Sequence, residues 1–148
     1  MIDTVPAIAK VGFTGSRAGM TGYQKASVES ILKCMNVSEA VHGDCIGSDS
    51  EFHDICQSMH IPVVLRPGNL RDQRAFCKGA IFTFDPKPPL TRNIDIVNDV
   101  DAMIATPKER NEVLRSGTWA TIRAAKRQGV PIYIVWPDGS CQYIGKPR

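Results

Sequence analysis

Apolar residues fall into short runs along the chain, separated by stretches of helical period. "AKVGFTG" (Ala9–Gly15) is an apolar run ending at a glycine and predicts a first strand. In Gly22–Met35, the apolar Val28, Ile31, Leu32 and Met35 recur at helical spacing, with Thr21 placed as the N-cap. "EAVHGD" (Glu39–Asp44) predicts a second strand. Gly47–Met59 predicts a second helix, with Ser48 or Asp49 near its cap and Phe52, Ile55, Cys56 and Met59 on one face. "IPVVLRPG" (Ile61–Gly68) is a third strand closed by Pro-Gly. The alternation lapses over Asn69–Pro89, which contains "DPKPP"; a connection this long is usually functional when ordered, and it is expected to lie over the site. Leu90–Val100 reads as a short helix and Asp101–Pro107 as a fourth strand. A polar loop, Lys108–Ser116, leads to a helix over Thr118–Gln128 and a fifth strand over Pro131–Pro137.

Five strands alternating with four helices imply right-handed crossovers and a parallel sheet covered on both faces. Near-continuous apolar strands suit such burial. The expected fold class is α/β, a single Rossmann-like doubly wound domain over residues 1–148 with strand order 3-2-1-4-5. Its ligand site should lie outside the C-terminal strand ends, between strands one and four.

Composition narrows the class. Hydrophobic residues make up 43% and charged residues 22%, the balance of a globular domain with a real core. No apolar run approaches the ~20 residues of a membrane span. "MIDTVPAIAKVGF" lacks the basic and apolar regions of a secretory signal. Five irregularly spaced cysteines point to reduced thiols in a cytoplasmic protein. The net charge of +3 permits an anionic small molecule, and with no basic run a nucleic-acid partner is not expected.

Four loops leave the strand ends. In "GFTGSRAGMTG", Gly12, Gly15 and Gly19 allow close backbone approach, Thr14 and Ser16 offer hydroxyls, and Arg17 can pair with phosphate or carboxylate. The G-x-G-x-x-G spacing is absent, so phosphate binding and a merely tight turn both remain open. In "HGDCIGSDSEFH", Gly43 and Gly47 bracket Asp44. Asp49 and His53 stand four apart on the second helix, a spacing that suits acid–base work, although Asp49 as a cap and His53 as a packed residue is the favoured reading. His42, Cys45, His53 and Cys56 have zinc-type donors, but Cys56 shares the face of Phe52 and Met59, and no metal is expected. Arg92 and Asn93 open the short helix, where Arg can clamp a phosphate and Asn can read a base or ribose. Finally, "ATP" (Ala105–Pro107, with Thr106) precedes Arg115, Ser116, Gly117 and Thr118, whose free N–H groups and hydroxyls favour an anion at a helix start.

Together, "GFTGSR", "HGDCIGSD", "TRNIDIV" before "DAMIATP", and "RSGTWATIRAA" before "GVPIYIV" resemble the SLOG superfamily. This group of Rossmann-like domains includes the lonely-guy phosphoribohydrolases, the DNA-processing protein A core and nucleotide-sensing domains. The likeness runs from about Lys10 to Pro137 and is closest to small single-domain members, some similar to YspA- and YpsA-type proteins and many found in phages and mobile elements. It implies a nucleotide or nucleotide-derived phosphate held by the first glycine loop and the Ser-Gly-Thr turn. It also implies a homo-oligomer, with the Ala-rich helix after Thr118 as candidate interface. Phosphoribohydrolases carry Pro-Gly-Gly-x-Gly-Thr-x-x-Glu at this turn. Aligned on Gly117–Thr118, the Glu position falls on Thr121, and the Pro-Gly-Gly is missing. A threonine cannot replace a carboxylate in activating water.

The expectation is therefore a nucleotide-binding sensor or sequestering protein, without cofactor. The alternative is a nucleoside 5'-monophosphate N-glycosidase whose acid is Asp44 or Asp49. A DNA-processing accessory protein is a second alternative.

Overall fold

A computed structural model describes residues 8–145. The stretch considered above for a secretory signal lies partly outside them. Among the described residues no helix is long and apolar enough to cross a membrane.

The fold is Rossmann-like α/β, with four helices around a mostly parallel sheet. Its strands are β1 (Ala9–Gly15), β2 (Val37–His42), β3 (Val63–Leu65), β4 (Phe82–Thr83), β5 (Ala102–Thr106), β6 (Ile132–Val135) and β7 (Cys141–Ile144). Their order is β4-β3-β2-β1-β5-β6-β7, and only the β6–β7 pair is antiparallel. The five expected strands keep their order within this sheet. The correction is at the edges, where two short strands extend it to seven. One, β4, sits inside the long connection and pairs with β3; the other, β7, returns from β6 through the Asp138–Gly139 turn.

Strand three is shorter than its apolar run because Pro62 and Pro67 lack the N–H that would extend the ladder. Strand two ends at His42, as Asp44 takes a left-handed conformation at φ 56° and turns the chain.

The helices are α1 (Gly22–Cys34), α2 (Ser48–Ser58), α3 (Pro89–Asp99) and α4 (Gly117–Gln128). Thr21 caps α1 through a reciprocal box with Gln24. Pro89 opens α3 at a position where no N–H is needed. Gly129, at φ 72°, closes α4. Alternation along β1 divides the core. Val11 and Phe13 pack with Leu32 of α1 and Phe52 of α2, the Phe13 and Phe52 rings stacking at 4.2 Å. On the other face, Met103 and Ala105 pack with Ile96 of α3 and Ile122 of α4. The small Ala124 and Ala125 of α4 are buried in this second core. The helix's outer surface carries the exposed Lys126 and Arg127.

Because β1 lies between β2 and β5, chain direction away from the sheet centre reverses at the β1–β5 junction. The loops after β1, β2 and β5 therefore converge above those strand ends.

Candidate functional site

An open cleft of about 740 Å³ occupies that junction. Three helices start around it, and the local sequence leaves them in different states.

The start of α2 is tied to the β1 loop through its first residue. The Ser16 carbonyl accepts from Ser48 N at 3.0 Å and Ser48 Oγ at 2.6 Å. Gly47, at φ 86°, makes this approach possible, since a Cβ there would run into the Arg17 carbonyl. Neither Ser48 nor Asp49 caps α2 by side chain; the N-cap is Gly47. The β1 loop is thereby fixed, with Ser16 Oγ accepting from Ala18 N at 3.0 Å.

The start of α4 is open. Ser116 is the N-cap and accepts from Trp119 N at 3.2 Å. The amides of Gly117 and Thr118 have no acceptor among the described residues. Thr118 is only 7% exposed, yet its hydroxyl opens on the cleft without a hydrogen-bond partner there. Arg17, Lys108 and Arg115 stand exposed on the rim. Glu109, also on the rim, accepts from Trp119 Nε1 at 3.2 Å and so ties the loop after β5 to α4. Thr121 is buried and donates back to the Gly117 carbonyl at 2.9 Å, so no carboxylate occupies that position of the helix.

The floor holds Asp49 and Arg92. Asp49 is 5% exposed, and its Oδ2 accepts from Gly43 N at 3.1 Å and Cys45 N at 3.2 Å. It thus closes the preceding loop instead of its own helix. Burial pushes its pKa up to about 6, against the opposing pull of Arg92. Arg92 donates to the Gly43 carbonyl at 2.7 Å and the Arg66 carbonyl at 3.3 Å, and its Nε donates to Asn93 Oδ1 at 2.7 Å. A Cβ on Gly43 would lie 2.5 Å from Arg92 Nη1 and 3.1 Å from Asp49 Oδ2, so only glycine admits both groups. Burial also raises the Cys45 thiol to about 11, which keeps it protonated and a poor nucleophile.

Asp44 belongs to a different network. Fully buried, it pairs with Arg74 at 2.6 Å and accepts from Cys77 N at 2.8 Å, pinning the long connection. Its amide donates to His42 Nδ1 at 2.9 Å. Assigning protons from that bond, His42 Nε2 carries the hydrogen and donates to His53 Nδ1 at 2.9 Å. His53 Nε2 then donates to the Lys78 carbonyl at 2.7 Å. His53 thus pairs with His42, not with Asp49. Burial holds the His42 pKa down at about 3, so the ring is neutral. Cys77 joins the two imidazoles, with one candidate ligand atom from each residue within 4.8 Å of the others. The two imidazoles are hydrogen-bonded to each other, so a metal would bind there only by displacing that bond. Of the other two donors in the sequence pattern, Cys45 faces Gly43 and Arg92, and Cys56 is buried in the core.

The cleft brings together Thr14, Gly15, Ser16, Arg17, Gly43 and Asp49, and across from them Arg92, Asn93, Arg115, Ser116, Gly117 and Thr118. Five sequence candidates stand outside it. Gly12 is buried within β1, where a Cβ would lie 2.5 Å from Met103 Sδ, and Gly47 seats Arg17. Asp44 faces the long connection. Thr106 is buried against Gly15, with no partner for its hydroxyl among the described residues, and the Pro107 carbonyl accepts from Gln24 at 2.8 Å. Sequence reasoning missed Lys108, Glu109 and Gln73, together with an apolar wall of Leu90, Ile96 and Val113. A loop's composition does not tell which of its residues folds back, although the helical period of α3 could have marked Ile96. Comparison with family models, curated proteins and solved structures finds no match to this chain.

Proposed function

We propose that the cleft binds a nucleotide or nucleotide-derived phosphate, its phosphate at the start of α4, and that the protein acts as a sensor or sequestering protein. One observation carries the reading: two unpaired amides and the nine-tenths-buried, unpaired Thr118 hydroxyl face the same cleft. Such donors, aligned with the helix dipole, suit an anion. Arg17, Lys108 and Arg115 add positive charge at the rim, and Leu90, Ile96 and Val113 offer an apolar wall to a base or sugar. The motif resemblance to the SLOG superfamily supports the same ligand class. Thermal-shift and calorimetric titration with nucleoside monophosphates, cyclic dinucleotides and ADP-ribose tests this. Binding that Arg115→Ala weakens is expected; no binding of any of them would overturn it.

A second reading, an N-glycosidase, is favoured by Asp49 alone. A buried carboxyl with a pKa of about 6, open to the cleft, is in the range of a general acid. Release of free base from nucleoside monophosphates, abolished by Asp49→Asn, would establish it in place of simple binding.

A further inference from the structure

Two long connections border the cleft, and the chain holds them in different ways. Residues 69–88, expected from the sequence to lie over the site, are bound down. Ala75 N donates to the Asp44 carbonyl at 2.7 Å, Ile81 N to Val63 at 2.8 Å and Phe84 N to Leu65 at 2.9 Å. Asp44 also grips Arg74 and Cys77 of this connection. Residues 108–115, between β5 and α4, are the reverse. Among the described residues their backbone makes no backbone–backbone hydrogen bond, and all but Glu109 and Val113 are exposed. The flanks are fixed: the Pro107 carbonyl accepts from Gln24 Nε2 at 2.8 Å, and Ser116 caps α4. Between them the loop hangs on side-chain clasps. Glu109 accepts from Trp119 Nε1 at 3.2 Å, Arg123 donates to Glu112 at 2.7 Å and the Leu114 carbonyl at 3.1 Å, and Arg110 pairs with Asp138 at 3.4 Å. Exposed pairs of this kind are weak, and a segment held by them opens locally at little cost.

Resting on the phosphate reading above, we infer that residues 108–115 are a lid that a bound anion draws closed over the cleft, with the Glu109–Trp119 bond as the clasp of its open state. Lys108, Glu109, Val113 and Arg115 all line the cleft. Lys108 and Arg115, at the two ends of the loop, are exposed and have no counter-ion among the described residues. An anion at the start of α4 attracts both and repels the Glu109 carboxylate on the same rim. It therefore weakens one clasp and offers a new hold at each end of the loop. A ligand shifts a conformation only by binding one state better, and these three charges supply the difference. The other connection has no such set: within residues 69–88 only Gln73 lines the cleft.

Limited trypsin digestion of the whole chain, with cut sites mapped by mass spectrometry, tests this. The anion is butyl phosphate, a simple phosphate monoester, and calorimetry measures its binding. Without ligand, Arg110 should be cut about tenfold faster than Arg71 or Lys78 of the other connection, because cutting follows the population of the locally opened state. Faster cutting within residues 69–88 overturns the inference. Saturating butyl phosphate should slow cutting at Arg110 about tenfold. Arg110 does not line the cleft, so protection there reads movement of the loop instead of direct cover by the ligand. Calorimetric binding without protection at Arg110 overturns the lid and leaves the phosphate site standing. Absence of calorimetric binding overturns the phosphate site and the lid with it. Glu109→Ala removes one clasp and should speed ligand-free cutting at Arg110 severalfold while cutting at Arg71 stays unchanged. Unchanged cutting at Arg110 in that variant overturns the clasp.

Discussion

Two buried groups near the cleft titrate in opposite directions, and Asp49→Asn should separate them. His42 has a folded pKa of about 3 against a usual 6.5. Because that value is depressed, its neutral ring contributes stability above pH 6.5 that is lost as pH falls towards 3. Asp49 has a folded pKa of about 6 against a usual 3.8. Because that value is raised, its protonated form contributes stability below pH 3.8 that is lost as pH rises through 6. Between pH 6 and pH 4, His42 removes and Asp49 returns contributions of similar size, about 2 kcal/mol each. The native protein should therefore lose little stability from this pair over that interval. D49N lacks the compensating group and should lose about 2 kcal/mol. With a urea m-value of about 2 kcal/mol/M, the midpoint of D49N should fall about 1 M further than that of the native protein. Urea unfolding of both proteins at pH 6, 5 and 4 measures this. Parallel loss of stability in the two proteins would refute the opposed titration.

Other perturbations separate structural from ligand-facing groups. Asp44→Ala breaks the buried pair with Arg74 and forces alanine to φ 56°, so it should cost about 3 kcal/mol or more in urea unfolding. It should leave butyl phosphate affinity unchanged. Thr118→Val removes a hydroxyl with no partner among the described residues, so Tm should hold while calorimetric affinity for butyl phosphate falls about tenfold. Gly12→Ala places a Cβ 2.5 Å from Met103 Sδ and 3.0 Å from Ile96 Cγ2, which should lower Tm by roughly 3–10 °C.

The sequence reveals what depends on continuous apolar runs and on local turn chemistry. Strands β1, β3, β5 and β6 and the second half of β2 are largely buried in the sheet centre, so their apolar runs stand out. Edge strand β4 is two exposed residues inside a proline-rich connection, and β7 is polar enough to read as a tail. Neither carries a burial signal. At the site, the Ser-Gly-Thr turn was legible because a helix start needs no distant partner. Asp44 and Asp49 were not separable in "GDCIGSD". One left-handed residue sends the Asp44 carboxylate towards Arg74 and Cys77, whereas Asp49 sits on the first turn of α2 and reaches back to the amides of residues 43 and 45.

The distribution of donors shows how the fold chooses between helix starts. A Rossmann-like sheet brings several helix N-termini to one junction, and each is attractive to an anion. Here the β1 loop engages one of these starts: the Ser16 carbonyl accepts from the Ser48 amide and hydroxyl. Pro89 removes one donor from α3 at the outset. At α4 the amides of Gly117 and Thr118 lack an acceptor among the described residues, beside the buried Thr118 hydroxyl, and both residues line the cleft. Asp49 makes no cap bond to α2, and its carboxylate turns instead to the amides of Gly43 and Cys45. The seating of the Arg17 carbonyl against Gly47 thus holds the β1 loop and the start of α2 together beside the cleft. Gly47→Ala, which blocks that seating, should weaken calorimetric binding of butyl phosphate, because it displaces the loop that carries Arg17 to the cleft rim.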